Sequence, residues 1–177
     1  WACWKTYVRR PEADWFRQAA MTELGNGLFA VDQDEDALSV EEAYLSTLRR
    51  LGASEANILT AQGNLAITYQ RVGRIEEALN LYRDVYSGEL KLYGVEHPKT
   101  LLTVSNYASS LAKLERFEES ASLLRNMIPV ARRVLGESHD LTLKLQSIYA
   151  AALYHDEGAT IDDLREAETT LAEIVRT

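Results

Sequence analysis

Cys3 is the only cysteine among 177 residues. No internal disulfide can form, and a multi-cysteine zinc site is excluded. A lone thiol fits a reducing compartment, and the expected location is cytoplasmic. Glycine and proline are scarce, at nine and three, which leaves little material for the many turns of an all-β fold. Basic residues are in the minority, 19 Lys and Arg against 27 Asp and Glu, for a net charge of −8. An acidic chain is a poor general partner for phosphate backbones, so nucleic acid is not an expected ligand. No apolar run approaches the roughly 18 residues that suggest a membrane span, so no membrane insertion is expected.

Catalytic signatures are missing as well. GxSxG, HExxH, GxxxxGK followed by Ser or Thr, and GxGxxG do not occur. His97, His139 and His155 are far apart in sequence, and two of them share an equivalent position before a helix. The acid pairs Glu76-Glu77 and Glu118-Glu119 suit helix N-termini, where the dipole favours negative charge. With no convergent polar cluster to name, neither an enzyme nor a cofactor is expected.

What the chain does have is a repeat. NLAITYQRVGRIEEALNLYRDVYSGELKLY begins at Asn64, and NYASSLAKLERFEESASLLRNMIPVARRVL follows 42 residues later at Asn106. Gly52, Gly94 and Gly136 mark the same step and suit the left-handed end of a long helix. Leu59, Leu101 and Leu143 align, as do Ala66, Ala108 and Ala150, which read as points of close helix approach. An earlier copy stands at an offset of 41, with a helix from about Ala13 to Ala30, and a later one carries five extra residues between its helices. Ser54, His97 with Pro98, and Ser138 or His139 read as helix starts, and Thr160 with Asp163 resembles a capping box. Pro11 suits the first turn of the first of these helices. Fixed-period self-similarity of this length signals stacked helix pairs that bury their apolar faces against neighbours.

A small residue in the first helix, Gly at the turn, Arg after it and Glu-Ala in the second helix resemble a tetratricopeptide repeat. The 42-residue period and LYGVEHPKTL between copies resemble the kinesin-light-chain-like subtype. Glu115 at the turn and Ser120 in the second helix depart from that pattern. The resemblance implies an all-α, right-handed α-solenoid of about four helix-turn-helix repeats, near 13–52, 53–94, 95–136 and 137–177. Residues 1–12 form an aromatic-rich segment ahead of them, read as a cap on the first repeat or as the tail of another module, with Cys3 once a zinc ligand. The whole reads as a fragment of a longer chain.

The resemblance further implies a concave groove lined by one stripe of each first helix. The stripe is Thr60, Asn64, Ile67 and Arg71, then Leu102, Asn106, Ser109 and Lys113, then Lys144, Ile148, Ala151 and His155. The first repeat breaks it with Glu23. Asn64 and Asn106 stand where related repeats hold a peptide main chain, and Arg71, Lys113 and Lys144 would favour acidic groups. The expected partner is therefore an extended, acidic peptide or a protein surface. The alternatives are an array segment that packs against neighbouring domains without a peptide site, and the sensor arm of a nucleotide-driven switch. The apolar spacing of Leu164, Ala167, Leu171 and Ile174-Val175 predicts a C-terminal flank that either associates with another chain or continues into following residues, unless that last helix simply frays.

Overall fold

The structure, a computed structural model, describes residues 2–176, without the side chains of Cys3 and Trp4. The expected roles of Trp1, Cys3 and Trp4 lie outside the described residues. Among the described residues the chain is all-α, with no strand. The helices are α1 (Ala2–Tyr7), α2 (Trp15–Ala30), α3 (Asp34–Arg50), α4 (Glu55–Arg71), α5 (Ile75–Tyr93), α6 (Pro98–Lys113), α7 (Phe117–Leu135), α8 (Asp140–His155) and α9 (Ile161–Arg176). The addition to the expected eight is α1, in a segment that showed no clear helical periodicity. Its Tyr7 ring stacks on Phe16 at 5.5 Å. Pro11 lies in the turn after α1, not in a helix. α2 starts later, capped by the Asp14 carboxylate, which accepts from the N–H groups of Phe16 at 2.9 Å and Arg17 at 3.2 Å.

The chain forms two compact units, 1–81 and 82–177, and the division falls inside α5. In the first, α2 packs on α3 and α3 on α4. Leu38, Leu45, Leu48, Ala61 and Leu65 form its core, with Tyr69 and Leu81 against them. In the second, α6, α7, α8 and α9 pack in succession, and α6 also lies beside α8. Leu101, Val104, Leu124, Leu145 and Leu153 are buried together there. Each such side chain contributes about 1.5–3 kcal/mol by leaving water.

Three hairpin turns are built alike. Asp32, Gly73 and Glu115 have φ of 57°, 80° and 59°. Each donates its N–H to the carbonyl three residues back, and the next residue donates to the carbonyl five back: Gln33 to Leu28, Arg74 to Tyr69 and Arg116 to Leu111. This pair of bonds closes the helix end and reverses the chain. Only Gly73 adopts the left-handed conformation without a Cβ penalty. Asp32 is the first repeat's counterpart of Gly73.

Ala66, Ala108 and Ala150 are buried at the helix contacts, as the spacing predicts. His97 and His139 act as caps, each Nδ1 accepting a main-chain N–H two residues on, from Lys99 at 3.2 Å and Leu141 at 3.1 Å. Thr160 and Asp163 bond reciprocally, each side chain taking the other's N–H. The five extra residues of the last hairpin divide into two that lengthen its link and three that lengthen the start of α9. The link is five residues rather than three, and Ala167 stands six residues into α9 where Ser120 stands three into α7.

Candidate functional site

In the second unit, α6 and α8 run side by side because Ala108 and Ala150 let the helices around them approach closely. The stripes of both helices keep to the surface. Leu102 is 50% exposed, Asn106 and Ser109 are half-buried, and Lys113 is exposed. On α8, Ile148 is half-buried, and Lys144, Ala151 and His155 are exposed. The His155 ring lies 5.8 Å from Phe117 and 5.2 Å from Tyr154, an aromatic end to the stripe. Among the described residues, no side-chain hydrogen bond occupies the Asn106 carboxamide, and neither Lys113 nor Lys144 forms an ion pair. This face therefore offers a donor-and-acceptor group and two cations, with no acid on the stripe.

In the first unit the expected residues divide. Thr60 and Asn64 line a cleft of about 350 Å³ between α2 and α4, floored by Tyr44 of α3. The Thr60 hydroxyl is turned back to the Ala56 carbonyl, at 2.9 Å. Ile67 is exposed further along α4. Arg71 is not the free cation that was expected. Its guanidinium reaches Asp32 at 2.5 Å and Asp34 at 2.9 Å and lies 4.1 Å from the Phe29 ring centroid. Hydrogen bonds to Asp32 and then Asp34 raise its pKa above the ordinary arginine value. That charge is already committed to the first hairpin turn.

The cleft also contains residues that sequence reasoning missed. Trp15, 71% exposed, and Gln18 and Thr22 come from α2, and Asn57 comes from α4. Asn57 sits one turn before Thr60, so extending the stripe by a turn would have found it. Trp15 stands at the open edge of this cleft, its ring edge-on to Phe16 at 5.1 Å. Among the described residues, no group of three His, Cys, Asp or Glu side chains is placed to hold a metal ion. No helix there is long and apolar enough to cross a membrane.

A family model described as tetratricopeptide repeat matches residues 58–99 and 100–140. No curated protein matches the chain in sequence. Among solved structures, a Podosopora anserina kinesin light chain protein with nearly identical TPR-like repeats superposes with a TM-score of 0.80 at 24% identity. A single-substitution form of that protein gives 0.82 at 23%, and in both cases 99% of this chain and 80% of that one are covered. BtubC (BKLC) from P. vanneervenii gives 0.74 at 16% identity, covering 90% of this chain and 61% of that one. At such identities the likeness speaks for the fold. Repeats of this family are protein-interaction scaffolds. Residues 58–140 match the tetratricopeptide repeat, and the chain has the helical-repeat fold of these structures.

Proposed function

We propose that the face made by α6 and α8 binds an extended, acidic peptide segment of a partner protein. The supporting observation is the pairing of an unoccupied Asn106 carboxamide with Lys113 and Lys144, on adjacent helices whose stripes carry no acid. A peptide main chain needs both a donor and an acceptor, and a carboxamide supplies both. The two ammonium groups add selection for acidic side chains or a terminal carboxylate, and they speed encounter at low salt. Leu102 and Ile148 give the peptide apolar surface to cover.

The structural alternative has its own support in the first unit. There Arg71 holds Asp32 and Asp34, so this part of the stripe serves the hairpin's own integrity. Selection from an unbiased peptide library, with wild type and with the double variant Asn106→Ala, Lys113→Glu, separates the readings. The peptide reading expects acidic peptides that lose binding to the variant. Unbiased peptides, or equal binding to both proteins, would leave the packing role as the better account.

A further inference from the structure

Within the chain, the side of a helix hairpin that faces its predecessor is covered three times, once by Tyr86 of α5, whose ring lies 6.3 Å from that of Tyr107. In the first unit, α3 lays Leu45 against Leu65, Tyr69 and Leu81 of the following hairpin. In the second, α7 does the same with Ile128 over α8 and α9, where Arg125 bonds Tyr149 at 2.9 Å and Arg132 bonds Glu173 at 2.6 Å. Leu45 and Ile128 hold equivalent places, each eight residues after the small buried residue of its helix, Ala37 or Ser120.

Among the described residues, the same side of the α2–α3 hairpin has no such helix over it. It is an open cavity of about 700 Å³, lined by Met21, Leu24, Leu28, Val40 and Ala43 with Asp36 at the rim. Leu24, Leu28 and Val40 stand 41 residues before Leu65, Tyr69 and Leu81, the three that receive Leu45. Glu12, paired with Arg17 and Arg50, closes one end.

The complementary half is displayed on α9. Val175 is eight residues after the buried Ala167, and it is 87% exposed. Leu171 holds the place of the fully buried Leu124, yet is 49% exposed. Beside Val175 stands Arg176, and the cavity rim carries Asp36. Neither is ion-paired among the described residues, and their charges are opposite.

We propose that α9 of one copy seats Val175 in the α2–α3 cavity of a second copy, giving head-to-tail self-association. The contact reuses between molecules a pairing that the chain already makes three times within itself, at Leu45, Tyr86 and Ile128. Because the two faces differ, the contact is heterologous and extends into open chains unless its rotation closes a ring. The surfaces used are separate from the α6–α8 face, so this inference does not depend on the peptide reading.

Sedimentation velocity of the chain over a rising concentration series tests it, together with Ala43→Arg and Val175→Glu. Both positions are exposed, and Asp84 and Asn126 stand at the place of Ala43 in other repeats, so a polar residue is compatible with the fold. Unchanged helical circular dichroism checks that each variant is folded. The wild type is expected to sediment faster as concentration rises, with each variant weakened about tenfold or more. A mixture of the two variants should stop at a one-to-one pair, since each retains one intact half. A wild type that stays monomeric overturns the proposal, whether the cavity takes a foreign helix or none. So does association that both variants leave unchanged, or a mixture that fails to pair.

Discussion

The Ser120 hydroxyl donates to the main-chain carbonyl of Ala108 at 3.0 Å, and both residues are fully buried. Ser120 occupies the place of Ala37 and Ala78 in the other hairpins, where no side-chain polar atom is present. The extra oxygen is accommodated at a close helix contact because a carbonyl is there to receive it. Replacing Ser120 with Ala restores the pattern and leaves no buried donor behind, so its effect should lie within about 1 kcal/mol. Ser120→Val removes the same bond and adds methyl groups where there is no room, and it should cost about 1–3 kcal/mol. Urea denaturation of both variants checks the order. A valine variant as stable as the alanine one would mean that the contact is not tight.

Glu115 is the second comparison between copies. It adopts φ of 59° where its counterpart Gly73 adopts 80°. A left-handed residue with a Cβ costs about 1–2 kcal/mol relative to glycine, part of which glycine returns through its freer unfolded chain. Glu115→Gly should therefore stabilise the protein by about 0.5–1 kcal/mol, and Gly73→Ala should destabilise it by about 1 kcal/mol. Denaturation midpoints with an unchanged m-value are the readout.

These comparisons also show what was legible in the sequence. Gly52, Gly94 and Gly136, the buried alanines and the Thr160–Asp163 box were readable because each depends on a few neighbouring residues. The commitment of Arg71 to Asp32 and Asp34 was not, since it joins residues up to 39 apart through long, flexible side chains. The α2–α4 cleft was half-legible. Thr60 and Asn64 belong to the regular stripe, but Trp15 and Gln18 come from the first, degenerate copy, where the alignment gave Glu23 alone. The short helix α1 has no periodicity to detect, and a partner for it becomes visible only when Tyr7 meets Phe16.

Glu41 carries a pH dependence of its own. It holds the place taken by the buried Tyr82 and Leu124 in later helices, and it lies against Gly25 of α2 and Thr68 of α4. Burial raises its pKa, and the neighbouring Thr68 hydroxyl opposes that only in part. A folded-state pKa above the unfolded one means that the folded chain binds more protons in between. Stability contributed at this site therefore falls as pH rises from the ordinary carboxylate value through the raised one. Glu41→Gln should stabilise the protein at neutral pH and remove that falling component, while changing little at acid pH where Glu41 is already protonated. A variant whose stability difference from wild type is the same at pH 4 and pH 7 would show that Glu41 titrates normally.

Three cations were expected to act together, and the structure divides them. Arg71 is bound to two carboxylates and a ring, whereas Lys113 and Lys144 are exposed and make no ion pair among the described residues. Arg71→Ala should leave Asp32 and Asp34 without their shared counter-charge and lower the stability of the first unit, modestly because the pair is solvent-screened. It should barely change the affinity for an acidic peptide. Lys113→Glu and Lys144→Glu should do the reverse. Each exposed position tolerates the change within about 0.5 kcal/mol of stability, while a like charge now opposes the peptide and weakens binding several-fold at low salt. Added salt should narrow the gap between these variants and wild type, because exposed charges are screened beyond roughly 8–10 Å. Titration calorimetry with one selected acidic peptide, at two salt concentrations, measures all three variants. If Arg71→Ala weakens binding as much as Lys113→Glu does, the stripe acts as one continuous site and Arg71 is available to the peptide after all.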